Sequence, residues 1–107
     1  AISNTVSTTA YECQFARVSN VVTVSGALDI NVAASSADTV VGIALPVASN
    51  LTIDSQCSGT GSCATPGFYN IGTGIIGNVT TDSANMVFIP NATGNKKYVF
   101  NFTYKIN

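Results

Sequence analysis

The sequence predicts a small all-β protein, an antiparallel β-sandwich of jelly-roll type. Apolar and polar side chains alternate with a period of two over several runs, which is the pattern of strands that bury one face. Turn-rich pieces separate these runs, and no segment carries the 3.6-residue repeat of a helix. Short strands joined by such turns are typical of a sandwich or jelly roll. A length of 107 residues, 46% of them hydrophobic, suits one domain with one core.

The longest alternating run predicts a strand over Val21–Ala33. Its even-numbered side chains are apolar except at Gly26, and Thr, Ser, Asp and Asn take most of the other positions. Gly26 therefore indicates a bulge or a close approach within a half-buried strand. A shorter alternating run over Tyr11–Arg17 precedes it, and Ser19 and Asn20 between the two runs suit a tight hairpin turn.

Four further strands complete the predicted fold. They are short apolar or aromatic runs bounded by turn residues, at Val40–Leu45, Phe68–Ile76, Met86–Ile89 and Val99–Ile106. Gly72 and Gly74 predict a bend in the second of these strands. The longest turn-rich piece is Ser49–Gly67. Residues 1–9 are polar and are predicted to be an N-terminal segment or linker, which leaves 10–107 as a single domain.

Charge is scarce in this chain. Charged residues make up 8% of the sequence, against about a quarter in average soluble domains. Four basic residues are too few to follow a phosphate backbone, so no nucleic-acid partner is expected. There is no run of 18 apolar residues, so no membrane insertion is expected, and the sequence shows no basic start followed by an apolar segment of the kind that marks a secretory signal. Ser, Thr and Asn take the place of charge, which suits an exported or virion-borne β protein.

The sequence offers little acid–base chemistry. It contains no histidine, which removes every Ser–His or Cys–His pair. A glycosidase needs two carboxylates that face one another across a cleft, and nothing in the sequence marks such a pair. The five carboxylates are scattered singly, at Glu12, Asp29, Asp38, Asp54 and Asp82. We therefore expect a non-enzymatic protein without catalytic residues, cofactor or metal.

The three cysteines are the remaining chemically distinctive groups. Cys57 and Cys63 bracket a five-residue Gly- and Ser-rich segment that can fold back on itself. A disulfide that staples this loop and a pair of free thiols both stay open. A metal site would want a C-x₂-C spacing and further ligands that the chain lacks. Cys13 shares the parity of Tyr11 and Phe15 and is predicted to be a small buried hydrophobe.

Four stretches carry a family resemblance. They are Ala10–Phe15 (A-Y-E-C-Q-F), Arg17–Gly26 (R-V-S-N-V-V-T-V-S-G), Gly42–Asn50 (G-I-A-L-P-V-A-S-N) and Phe100–Ile106 (F-N-F-T-Y-K-I). From Ala10 onward the chain resembles a domain at the C-terminal ends of phage and prophage tail-fibre, head-fibre and related virion proteins. The first two stretches are the most specific part, although Ser19 stands where family members often have Gly.

The resemblance implies a β-sandwich at the tip of a trimeric fibre, or one that decorates a capsid or tail on the virion surface. We therefore expect a structural or attachment module, with copies of itself, other virion proteins and a host-surface glycan as partners. Several weak sites on one particle would give avidity. Glycan contacts are expected from loop-borne polar groups, with Ser58, Thr60, Ser62 and Tyr69 as candidates.

Two other functions stay open at this point. One is a bacterial secreted adhesin or carbohydrate-binding module, which would bind glycans as an isolated monomer. The other is an enzyme, such as an accessory domain of a depolymerase. The absence of histidine and of an acidic cluster in the sequence disfavours the enzyme.

Overall fold

The computed structural model describes residues 2–67 and 71–107, and the predicted small all-β fold is confirmed. Within those residues nine strands form one antiparallel sheet that curls into a nearly closed, barrel-like shape. The strands are β1 (Ile2–Ser3), β2 (Thr5–Ala10), β3 (Gln14–Val18), β4 (Val21–Val32), β5 (Thr39–Ala44), β6 (Cys57–Cys63), β7 (Gly72–Asn78), β8 (Ser83–Phe88) and β9 (Gly94–Lys105). A short 3-10 turn over Asp54–Gln56 precedes β6.

The order of the strands brings the two ends of the sheet together. Neighbouring strands follow the path β1-β5-β8-β7-β6-β9-β4-β2, and β3 also pairs with β4. The N-terminal segment supplies both ends, because β1 pairs with β5 and β2 pairs with β4. Asn4 is the corner between these strands and has a φ of 56°, a left-handed conformation that Asn tolerates. Its side-chain amide donates to the carbonyl of Ala34 (2.8 Å) and to the hydroxyl of Thr39 (2.9 Å).

The sequence predicts a polar N-terminal segment or linker over residues 1–9, and in the structure residues 2–10 contribute two strands to the sheet. The sequence of β2 shows no alternation because nearly all of its side chains are exposed. Its place in the sheet comes from the ladder with β4, which residue hydropathy does not report.

Strands β4 and β9 form the centre of the sheet and pair along their full length of 12 residues. The predicted parity of both strands is confirmed. The inward residues of β4 are buried at Val22, Val24, Leu28, Ile30 and Val32. Those of β9 are buried at Tyr98, Phe100, Phe102 and Tyr104. Strand β9 begins five residues earlier than predicted, at Gly94, whose φ of 96° suits glycine.

Strand β6 corrects the prediction of a loop between Cys57 and Cys63. It is a fully extended strand between β7 and β9. Its inward glycines, Gly59 and Gly61, lie directly opposite Phe102 and Phe100 of β9. A Cβ added to Gly59 would lie 2.5 Å from the Cα of Phe102, so only glycine fits the close approach of these two strands. Glycine thus acts here as the small partner of an aromatic ring in a paired strand.

The remaining predicted strands are present with shifted ends. Strand β5 begins and ends one residue earlier than the predicted Val40–Leu45. Strand β8 begins at Ser83, three residues before the predicted start. Strand β7 covers the second half of the predicted Phe68–Ile76 and continues to Asn78, whereas residues 68–70 lie outside the described part of the chain.

Strand β3 lies close to the predicted position, but its surroundings differ from the prediction. All five residues of Gln14–Val18 are exposed, and among the described residues this edge strand pairs with β4 alone. Cys13 is exposed as well, so the prediction of a buried hydrophobe is wrong. Its sulfur occupies the space above Gly26 that a Cβ on that residue would need.

The segment between β5 and β6 is held against the core by side chains from distant parts of the chain, Asp82 in the turn before β8 and Tyr104 on β9. Leu51 is buried, and its N–H and that of Ser49 each donate to the Asp82 carboxylate at 2.9 Å. These bonds favour the charged form, so the pKa of Asp82 is lowered, with the bond from Leu51 the largest cause. The Tyr104 hydroxyl donates to the carbonyl of Val47 (2.7 Å) and accepts from its N–H (3.0 Å).

The described residues contain no helix of the length and hydrophobicity that a bilayer crossing needs.

Candidate functional site

Three of the four predicted glycan-contact residues share one surface. Ser58, Thr60 and Ser62 are the even-numbered residues of β6, and their side chains point outward while Cys57 and Cys63 point into the core. They lie on a strand paired on both sides, β6, which corrects the prediction that a loop carries them. The fourth predicted contact, Tyr69, lies outside the described residues.

The register of the sheet extends this surface over β9 and β4. Thr60 lies opposite Asn101, and Asn101 lies opposite Ser25. The parallel row below it joins Ser58, Thr103 and Thr23, with 3.4 Å between the two threonine hydroxyl oxygens. We call this surface the neutral face, defined by Thr23, Ser25, Ser58, Thr60, Ser62, Asn101 and Thr103.

The neutral face is ordered and uncharged. Neighbouring strands are about 4.8 Å apart and alternate residues along a strand about 6.8 Å apart, so its side chains form a regular array. Six of its seven residues are exposed, and Ser62 is half-buried. On β9 the uncharged stretch ends at Lys97 on one side and at Lys105 on the other. On β4 it ends at Asp29.

Two shallow depressions lie on or beside the neutral face. One, of about 400 Å³, is lined by Thr60, Ser62, Val99 and Asn101 together with neighbouring backbone. The other, of about 250 Å³, lies at the β3 side and is lined by Gln14, Phe15, Ala16, Thr23 and Ser25. Both combine hydroxyl or amide groups with short apolar side chains, which is a surface for hydrogen bonding and for contact.

The chemistry available on the neutral face is hydrogen bonding. Each Ser or Thr hydroxyl both donates and accepts, and the Asn101 amide offers one acceptor and two donor hydrogens. None of these groups titrates near neutral pH, so binding through the face should be independent of pH there. Among the described residues, no group of three or more His, Cys, Asp or Glu side chains is placed to hold a metal ion.

The two β6 cysteines are free thiols, and the structure rules out the disulfide alternative. They stand at opposite ends of a seven-residue strand, so their Cα atoms are about 20 Å apart. A disulfide needs a Cα separation below about 7 Å. Both residues are buried, and burial raises the pKa of the Cys57 thiol to about 11. Cys57 therefore acts as a small core residue that fits opposite Tyr104.

A second polar cluster, which the sequence analysis missed, lies at the edge of the outer surface. The Tyr11 hydroxyl donates to Asp29 at 2.7 Å, and the Asn95 amide approaches the same carboxylate oxygen at 3.4 Å. The hydrogen bond to Asp29 raises the pKa of Tyr11. The Lys97 ammonium lies 5.0 Å from the centre of the Tyr11 ring. These residues come from three parts of the chain. The pairing of Asp29 with Lys97 across β4 and β9 brings them together, so the β4–β9 register would have been needed to predict the cluster.

Comparison with models of protein families, with curated proteins and with solved structures finds no match to this chain. The fold and the site together define a small all-β protein with a nearly closed sheet. Its candidate functional surface is the open, uncharged outer face of three central strands.

Proposed function

We propose that this chain is a non-enzymatic contact module, the structural or attachment module of a bacteriophage virion. The observation that carries the proposal is the neutral face, a fixed array of hydroxyl and amide groups on the strands β4, β9 and β6. The resemblance of the chain from Ala10 onward to virion fibre domains supports the assignment to a phage particle. Its site of action is then the virion surface.

The position of the neutral face on central, paired strands supports a role in contact. Its side chains stand on the central strands of the sheet, whose inward residues form the core. A ligand that binds there meets groups that need little ordering, which lowers the entropic cost of binding. Each hydrogen bond contributes about 0.5–1.5 kcal/mol net, so one copy would bind a glycan weakly.

Multivalent display would compensate for this weak binding. Linked copies raise avidity by about 10²–10⁴ over a single site without any new contact. The proposal therefore includes a homotrimer of this chain, held with other virion proteins, that presents several neutral faces to a host-surface glycan. A host glycan suits the face, because neutral hydroxyls and amides match the hydroxyls of a sugar as donors and acceptors.

A charge placed in the centre of the neutral face tests the proposal. The fluorescently labelled chain is incubated with an array of bacterial lipopolysaccharides and capsular polysaccharides, alongside Thr60→Lys. The matched control is Thr80→Lys, which adds the same charge in an exposed turn. We expect Thr60→Lys to weaken glycan binding at least tenfold and the control to leave it unchanged. Binding that Thr60→Lys does not alter, or no binding to any glycan, would refute attachment through this face. Breakdown of a polysaccharide would refute the non-enzymatic role.

A carbohydrate-binding module of a secreted bacterial adhesin is the second candidate. The observation in its favour is Tyr11, a residue that is 44% exposed next to the hydrogen-bonding groups of Asp29 and Asn95. An aromatic ring beside polar groups suits a sugar with one apolar and one hydroxylated side. Glycan binding by the monomer that Tyr11→Ala abolishes and Thr60→Lys leaves intact would favour this candidate.

A further inference from the structure

The sheet leaves a cleft where its two ends meet. Strand β1 pairs with Val40 and Val41 of β5 and goes no further, so among the described residues the edge at Gly42–Ala44 has no strand partner. On the opposite side of the cleft, β2 pairs with β4 through one of its edges only. The two strands approach each other near Asn4, which joins β1 to β2. Further along, the cleft lies between Thr8 and Ala10 of β2 and the end of β5.

The cleft is apolar and has a volume of about 190 Å³. Its lining includes the buried core residues Leu28, Val41 and Phe100, with the half-buried Ile43 and the exposed Ala10 and Ala44 at its walls. No charged side chain contributes to the lining. An apolar floor beside a free strand edge suits an extended peptide, because the edge binds its backbone and the floor binds alternate side chains.

Strand β3 of the same chain has the chemistry that such a cleft accepts. All of its residues are exposed, with Phe15 at 55% and Val18 at 76%. Its outer edge has no strand partner among the described residues. Its one charged residue, Arg17, donates from Nε to the carbonyl of Ser19 (2.9 Å) and so stays on its own hairpin. An exposed apolar edge strand is a surface that proteins normally cover.

We infer that the cleft of one copy binds strand β3 of a second copy, with the Phe15 ring in the cleft. The sizes agree, since a cavity of about 150 Å³ holds a benzene molecule. The lining of the cleft is uncharged, and pairing of β3 with the Gly42–Ala44 edge satisfies backbone groups on both strands. The occupant is a second copy because the chain itself exposes a matching strand.

This contact joins two different surfaces, so it is heterologous. A heterologous contact closes into a ring when the rotation between copies allows it, and three copies make the smallest ring above a dimer. The inference deepens the proposed function and rests on it in one respect, because the number of copies, three, is taken from the proposed homotrimer. It assigns the trimer contact to β3 and the cleft and leaves the neutral face free for a ligand.

The test uses one variant on each side of the contact. Phe15→Ser removes the ring, and Ala44→Glu places a charge at the cleft wall; both residues are exposed in the single chain. Thr80→Glu, in an exposed turn, is the matched control. Light scattering from 10 µM to 1 mM should give trimers for the parent and the control and monomers for the two variants. An equimolar mixture of Phe15→Ser and Ala44→Glu should form dimers, because each variant keeps one intact half of the contact.

A peptide probe makes the inference testable even if a variant does not fold. A labelled peptide with the sequence of residues 12–20, with Ser in place of Cys13, should bind the parent protein. The same peptide with Ala in place of Phe15 should bind at least tenfold more weakly. A parent that stays monomeric at 1 mM and binds neither peptide would overturn the inference. If the parent forms the trimer but binds no glycan, the result would count against the proposed function and leave this inference standing.

Discussion

Glycine at position 59 offers the sharpest test of how this sheet is packed. In Gly59→Ala the new methyl group would contact the Asn101 carbonyl oxygen and lie 2.5 Å from the Cα of Phe102. Both neighbours are backbone of the central strand β9, so neither can move without disturbing the ladder. Overpacking of this kind costs about 1–3 kcal/mol. The entropy that alanine removes from the unfolded chain returns about 0.4–1 kcal/mol.

The net expectation for Gly59→Ala is a loss of about 1–2 kcal/mol in the free energy of unfolding. For a domain of this size that corresponds to a fall in Tm of about 5–10 °C. Gly72→Ala is the matched control, because a Cβ there has nothing within 4 Å and the same entropy gain applies. The control should be neutral or stabilised by up to about 1 kcal/mol. Urea unfolding followed by circular dichroism measures both variants. A Gly59→Ala variant as stable as Gly72→Ala would refute the close packing of β6 against β9.

Two further predictions concern ionisable groups. The pKa of Asp82 is lowered in the folded chain, so its contribution to stability is complete above about pH 4, the ordinary Asp range, and is lost as the pH falls through the lowered value. Urea unfolding should therefore show that the free energy of unfolding changes less between pH 7 and pH 2.5 for Asp82→Asn than for the parent. Equal changes would contradict the hydrogen bonds that the Asp82 carboxylate accepts from Ser49 and Leu51. Maleimide labelling of the folded chain, read by mass spectrometry, should modify Cys13 alone, because Cys57 and Cys63 are buried. Labelling in denaturant should modify all three, and rapid labelling of Cys57 in the folded chain would contradict its burial.

The strands that sequence patterning predicted best are those with one buried face. In β4 and β9 the core takes every second side chain, so the period-two alternation is written into residue hydropathy. Their parity is therefore a local property of the chain. Strand ends were less well predicted, as at Gly94 and Ser83, because ladder pairing continues past the last apolar residue.

The two strands that the hydrophobic pattern did not predict, β6 and β2, are stabilised by contacts with other strands. Strand β6 reads as a flexible Gly- and Ser-rich loop, yet Gly59 and Gly61 are strand residues because aromatic rings of β9 lie opposite them. Strand β2 reads as a linker because its side chains are exposed and its order comes from backbone pairing. In both cases the deciding partner lies at least 18 residues away in the sequence, beyond the reach of a local pattern.

The candidate site divides in the same way. Ser58, Thr60 and Ser62 were predictable as polar contact residues, but the neighbours that make a surface of them were not. Asn101 and Thr103 reach them through the β6–β9 register, and Thr23 and Ser25 through the β4–β9 register. Register is set by how the whole core packs, because a slip of one residue would turn every side chain to the other face.

The sequence alone determined that this chain builds a β fold, which faces of β4 and β9 are buried, and that little charge is available for its surface. Those properties follow from composition and from the two-residue period of a strand, both of which are local. The tertiary structure decided that Cys57 and Cys63 stand at opposite ends of a central strand and that Phe15 is exposed on an edge strand. It also decided that hydroxyl groups from three strands form one face. These outcomes depend on which strands pair and in what register, and that choice is made by the packing of the whole core.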